Sequence, residues 1–232
     1  MPDSQASLAG PTVESDVYLL LATLLRLPSR EMAARYADGT LASGIAEHAR
    51  AIWGDALGPR EAGEAVGLFS SHERRGPSLL SDLRYEHTRL FEHPEFPAIQ
   101  RYEGLFGFFA KNPGLRSYHG APRRFVNPEA IDAERCYRRA GFDRSDELNE
   151  PADSVSTELE FMYRLVGAKR DALDAADSEA LAFANACIDE FKGIHLKNWM
   201  LPFFEKVVQE SRTDFYRATG LLGIAFLREQ LR

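Results

Sequence analysis

An all-α fold is predicted, on three observations. Apolar residues recur at three- and four-residue spacing in nearly every segment, which is the periodicity of one helix face. Helix start signals (Ser29, Ser78, Asn127-Pro128, Ser178, Thr213) and stop signals (Asp38-Gly39, Gly141) bracket those segments. No stretch alternates β-branched residues as a half-buried strand would. A chain of 232 residues can bury a substantial core. The expectation is a single compact bundle of about ten helices, one domain over residues 1–232.

Val17, Leu20, Leu21, Leu24 and Leu25 form the first apolar stripe, with Thr12 or Ser15 able to cap it. Ser29 caps a short helix through Tyr36, and the glycine-rich stretch Gly54 to Gly67 has room for a loop. Ser78 precedes a helix carrying Leu79, Leu80, Leu83, Leu90 and Phe91, ended before Pro94. Residues 112–127, with Pro113, Gly114, Gly120 and Pro122, are the longest irregular stretch. They read either as a hinge between an N-terminal helical half, about 12–111, and a C-terminal half, about 128–232, or as an Ω-like surface loop.

Asn127-Pro128 opens the next helix, because proline at the first position loses only a donor that would have no partner. It holds Ile131, Cys136 and Tyr137 and ends at Gly141. Pro151 opens a long helix with Val155, Leu159, Met162 and Val166 along one edge and Glu158, Phe161 and Leu165 beside it. Ser178 opens a helix with Leu181, Phe183, Ala184, Cys187, Ile188 and Phe191. After Gly193 comes another, with Leu196, Trp199, Met200, Phe203, Phe204 and Val207, in which Pro202 falls in the first turns or makes a kink. Thr213 caps the last, Asp214 to Leu231.

Composition excludes several classes. A net charge of −7 argues against nonspecific nucleic-acid binding, which needs Lys and Arg to displace counterions. Cys136 and Cys187 lie far apart in helical patterns, which fits reduced thiols. Residues 1–11 are polar and lack an export signal, and no apolar run approaches the roughly 20 residues of a membrane span. A soluble, cytoplasmic chain without integral membrane association is expected.

No phosphate-binding loop, dinucleotide fingerprint or catalytic constellation occurs, so no catalytic residue, metal or cofactor is expected. His87 and His93, with Glu86, Glu92 and Glu95, suggest a metal site only superficially. Positions six apart are about 600° around a helix, so they diverge, and the group reads as a solvated helix end. His48, His72 and His119 have no partner at ligand spacing. His195 and Trp199 share a helix face, and a packing role is favoured because no acidic neighbour in sequence activates the imidazole.

Two segments stand out. After Tyr85, Arg89, Leu90 and Phe91, Pro94 and Pro97 force an extended connection. That connection either presents Tyr102 and Glu103 from a rigid turn, or leaves the aromatics in the core and Glu103 as a surface charge. In Glu150-Pro151-Ala152-Asp153-Ser154, Asp153 falls in the first helical turn, where a carboxylate gains about 0.3–1 kcal/mol from the helix dipole. Asp143, Asp146, Glu147, Glu150, Asp153, Glu158 and Glu160 face Arg144 alone. Such an edge either attracts a cationic peptide or is a solvated helix entrance.

Taken together, these segments resemble the TorD/DmsD/NarJ family of redox-enzyme maturation chaperones. The resemblance rests on Tyr85-x3-Arg89-Leu90-Phe91, Pro97, Tyr102-Glu103, Glu150-Pro151-x-Asp153, Glu158-Leu159-x-Phe161-Met162, Phe191-x3-His195-Leu196-x2-Trp199-x2-Pro202-Phe203 and Phe215-Tyr216. It implies a non-enzymatic cytoplasmic chaperone. The partner would be the twin-arginine signal peptide, or the apo form, of a molybdenum-cofactor oxidoreductase subunit, held back from export until cofactor insertion is complete. The implied peptide-binding residues are Glu150, Pro151, Asp153 and Ser154, with Tyr102, Glu103 and Phe106. Ser154 stands where the family usually has histidine, and Gly104 where it has serine. Two arginine forks need exposed carboxylates, and the short apolar helix behind them needs a groove. The alternatives are a helical scaffold acting through an apolar groove, or a weak nucleotide-binding switch. The irregular stretch permits a monomer or a domain-swapped homodimer.

Overall fold

Ser29 illustrates how locally the helices are encoded. Its backbone is extended and its hydroxyl accepts from Met32 N at 3.0 Å, so α2 (Arg30–Asp38) starts there. Gly39, at φ 86°, ends α2 in the left-handed conformation that glycine adopts without cost. The computed structural model describes residues 6–55, 57–71, 76–124, 126–142 and 150–231, with the side chains of 6–9 excepted. The other helices are α1 (Ala6–Leu24), α3 (Thr40–Trp53), α4 (Arg60–Ser70), α5 (Leu79–His87), α6 (Glu103–Lys111), α7 (Pro128–Arg139), α8 (Val155–Asp174), α9 (Ser178–Phe191), α10 (Lys197–Glu210) and α11 (Asp214–Gln230). Wider π-helical turns follow α5 (Thr88–Glu92) and α9 (Lys192–Leu196). No strand occurs among the described residues, and the predicted all-α class holds.

Several local expectations are corrected. Ser15 caps nothing: it lies inside α1, buried, with its hydroxyl donating to Tyr163 O at 3.2 Å. The Gly54–Gly67 loop shrinks, because α4 begins at Arg60. Asp177, not Ser178, caps α9, accepting from Glu179 N and Ala180 N. Gly193 ends no helix, since the π turn carries the chain on into α10. Thr213 has the extended backbone of a cap but makes no capping hydrogen bond. Asn127, by contrast, caps α7 as its sequence predicts, accepting from Ala130 N at 2.8 Å.

The chain divides into two compact units, Met1–Thr23 with Arg101–Met200, and Leu24–Gln100 with Leu201–Arg232. In the first, α8 packs along α9, and α7 touches α6 and α9. Residues 112–127 join α6 to α7, two helices of that same unit. In the second, α11 lies along α4, and Tyr36, Phe69 and Phe215 form an edge-to-face triangle with centroids 5.2–6.3 Å apart.

The expected solvated helix end at Glu86 and His87 is likewise corrected. Both are buried, whereas Glu92, His93 and Glu95 are exposed. Arg89 grips Glu86 with two hydrogen bonds, at 2.8 and 2.9 Å, and also bonds Glu210 O. Arg212 N donates to Glu86 Oε1 at 2.7 Å, and His87 Nε2 lies 3.2 Å from Leu25 O. Burial opposes ionisation of Glu86, yet these donors outweigh it and hold the carboxyl below its usual range. His72 lies outside the described residues.

Helices α10 and α11 meet at Gly223, where an added Cβ would sit 2.3 Å from the Phe204 ring. Phe204 is fully buried, so it would have to shift within a close-packed interior. Gly223→Ala should therefore destabilise the protein by about 1–3 kcal/mol, although alanine is the better helix former. Urea unfolding of the two proteins checks this; an unchanged or raised midpoint would show that the contact relaxes freely.

Candidate functional site

The two segments singled out in the sequence meet. Tyr102 and Ser154 are both extended and pair as an isolated antiparallel bridge, flanked by Glu103 N to Asp153 O and Val155 N to Arg101 O, each 2.9 Å. Tyr102 is the residue preceding α6 and Ser154 the one preceding α8, so two helices start side by side. The long helix begins at Val155, not Pro151, because Ser154 Oγ caps it by accepting from Thr157 N.

This placement changes the role of Asp153. It lies before the helix, not in its first turn, and none of its surface is exposed. Tyr102 has no oxygen placed to cap α6. Asp153 supplies it from across the bridge, with Oδ2 accepting from Gly104 N at 3.2 Å and from Asn127 Nδ2 at 3.1 Å. Asn127 in turn caps α7, so one carboxylate ties the starts of three helices. Gly104 permits the approach, because a Cβ there would stand 2.9 Å from Asn127 Oδ1 and Glu129 Oε2.

Beside Asp153 lies a second buried group. Glu103 Oε2 is 2.7 Å from His195 Nδ1, and Glu158 accepts from Trp199 Nε1 at 3.1 Å. One carboxylate oxygen each of Glu103 and Glu158 lies within 4.8 Å of the other and of a His195 ring nitrogen. Burial, then the charges of Glu103 and Asp153, push Glu158 well above the usual carboxylate range. Burial also raises Glu103, against the pull of His195. His195 packs on Phe191 (centroids 4.6 Å), and its Nε2 is 3.3 Å from Asp132 Oδ2. Burial and the neighbouring Asp132 push the Cys136 thiol up to about 11.

The expected exposed anionic entrance is therefore corrected. Pro151, Asp153, Ser154, Tyr102, Glu103 and Phe106 are buried, and Phe106 packs against Trp199 with ring centroids 5.8 Å apart. Neither alternative weighed for Glu103, binding group or surface charge, describes a side chain locked on His195. Glu150 alone of the motif reaches solvent, with 32% of its side chain exposed; it pairs with Arg101 Nη2 at 3.1 Å and accepts from Ser154 Oγ at 2.7 Å. Asp143, Arg144, Asp146 and Glu147 lie outside the described residues. Sequence reasoning missed Arg101, Asn127, Asp132, Glu158 and His195 as members of one network. One signal was available: Glu158 sits on the apolar face of its helix, where an acid calls for a partner.

The family model of the nitrate reductase delta subunit matches residues 55–205, a span that includes every residue of this network. The chain belongs to that family. The chaperone protein TorD of Photobacterium profundum is 30% identical over 114 residues, 49% of this chain and 51% of that protein. The chain thus spans about half the length of this curated relative. The resemblance drawn from Tyr102-Glu103 and Glu150-Pro151-x-Asp153 is thereby one of membership, and within this nitrate reductase delta subunit member the two motifs form one hydrogen-bonded junction.

Burial, opposed by the Gly104 and Asn127 hydrogen bonds, raises Asp153 from the ordinary 3.8 to about 6. The unfolded chain releases this proton near pH 4 and the folded chain only near 6, so stability should fall as pH rises through that window. The loss is about 3 kcal/mol, at about 1.4 kcal/mol for each tenfold difference in proton affinity. Asp153→Asn should remove it, so the variant should gain on the parent between pH 4 and pH 7 in urea unfolding. Parallel pH profiles would contradict this placement of the carboxylate.

Proposed function

We propose that this protein is a non-enzymatic, cytoplasmic maturation chaperone for the catalytic subunit of a molybdenum-cofactor oxidoreductase. It binds the twin-arginine signal peptide or the apo-subunit, assists cofactor insertion and prevents premature export. The observation that carries this reading is the family match over residues 55–205. The likeness to a TorD chaperone supports it. No helix among the described residues is long and apolar enough to cross a membrane.

The buried junction narrows how a client peptide is held. Asp153, Glu103, Tyr102, Ser154, Pro151 and Phe106 act as the frame, because an arriving guanidinium cannot reach side chains that the fold has buried. Glu150 is the carboxylate that contacts solvent, already oriented by Arg101 and Ser154. An arginine of the client shares it, and a lysine does so less well, because only the guanidinium fork matches a carboxylate in two places.

Native co-purification followed by mass spectrometry should recover a molybdoenzyme precursor subunit. Labelled signal peptide from that subunit should bind in a salt-sensitive manner, and Glu150→Gln should weaken it about tenfold, the scale of one hydrogen bond to a charged group. Asp153→Ala should act through stability instead. Equal affinity for a peptide with both arginines replaced would favour a scaffold acting through an apolar groove. Stoichiometric nucleotide binding without any client would favour a switch.

A further inference from the structure

Asp132 and Cys136 are four residues apart on one face of α7, and His195 comes to them from the π turn after α9. One ligand atom from each lies within 4.8 Å of the others, and His195 and Cys136 are buried while Asp132 is half-buried. We propose that these three side chains form a binding site for a divalent zinc-type cation, with its fourth position open to water.

Three observations carry it. The first is the orientation of His195. Its Nδ1 is engaged by Glu103 at 2.7 Å, which turns Nε2 toward α7, where that atom has no hydrogen-bond partner although the side chain is 1% exposed. A carboxylate holding one imidazole nitrogen so that the other faces a cation is the usual support behind a metal-binding histidine. The second is the spacing. Nε2 stands 3.3 Å from Asp132 Oδ2. Tetrahedral zinc, with bonds of about 2.0–2.3 Å, separates its ligand atoms by about 3.3–3.8 Å. The third is the division of the Asp132 carboxylate. Oδ1 is held by Arg135, which leaves Oδ2 aimed at the imidazole.

The donor set is one nitrogen, one sulfur and one oxygen, a combination that suits zinc and fits magnesium or calcium poorly. Asp132, whose side chain is 29% exposed, opens the group to solvent. The neighbouring group of Glu103, Glu158 and His195 is the weaker candidate, because all three are buried and a cation there would break the Glu103–His195 and Glu158–Trp199 hydrogen bonds.

The test uses the full-length, metal-free, reduced protein titrated with cobalt(II) and then zinc(II). One equivalent of cobalt should produce a thiolate-to-cobalt charge-transfer band and the intense visible bands of four-coordinate cobalt, and one equivalent of zinc should abolish both. Cys136→Ser should remove the charge-transfer band and weaken zinc at least tenfold in competition with a chromophoric chelator. Asp132→Asn should weaken zinc by a similar factor. Cys187→Ser should leave band and affinity unchanged. Far-ultraviolet circular dichroism checks that each variant folds, and two independent ligand variants guard against loss of one. The proposal falls if the parent shows no thiolate band, if the band follows Cys187, or if both ligand variants bind zinc like the parent.

Discussion

The junction between α6, α7 and α8 depends on one buried carboxylate. Asp153 accepts from the Gly104 amide and the Asn127 side chain, and Asn127 passes the connection to α7. Each helix start presents amide hydrogens that its own chain cannot satisfy, and burial denies them water. A single side chain answering two of these starts, with the third helix capped by the next residue, makes the three mutually dependent. The frame cannot lose Asp153 without orphaning donors on more than one helix.

Burying Asp153 beside Glu103 and Glu158 concentrates like charges where desolvation is expensive. The arrangement relieves this in two ways. Burial shifts Glu158 toward its neutral form, while Trp199 donates to Glu158 and the His195 imidazole engages Glu103. The π turn between α9 and α10 matters here, since it carries His195 into this position where an ordinary helix break at Gly193 would have ended the segment. Local irregularity and buried acid therefore belong to the same device.

Membership of the nitrate reductase delta subunit family and the interior position of its motif residues are consistent with each other. Residues that recur as a motif read naturally as a contact surface, but a motif can equally mark a construction that holds the surface in shape. In this chain the second reading suits the buried motif residues, while the Glu150 side chain reaches solvent.

Much of the fold was legible locally. The caps at Ser29 and Asn127 and the apolar edges of α8 and α10 depend on neighbours within a turn or two, and amide donors and helical periodicity act over that range. The start of α8 was misjudged because proline before a helix and proline within its first turn look alike in sequence, and the bridge to Tyr102 settled the matter. The candidate site was half legible: its two motifs were recognisable, but their joining, the burial of Asp153 and the acidic partners of His195 were not. By itself the sequence determined an all-helical chain, its family and several helix starts, such as those at Ser29 and Asn127. Tertiary structure alone decided which carboxylates meet water, because burial and partners come from segments dozens of residues away, and desolvation has no sequence-local signature.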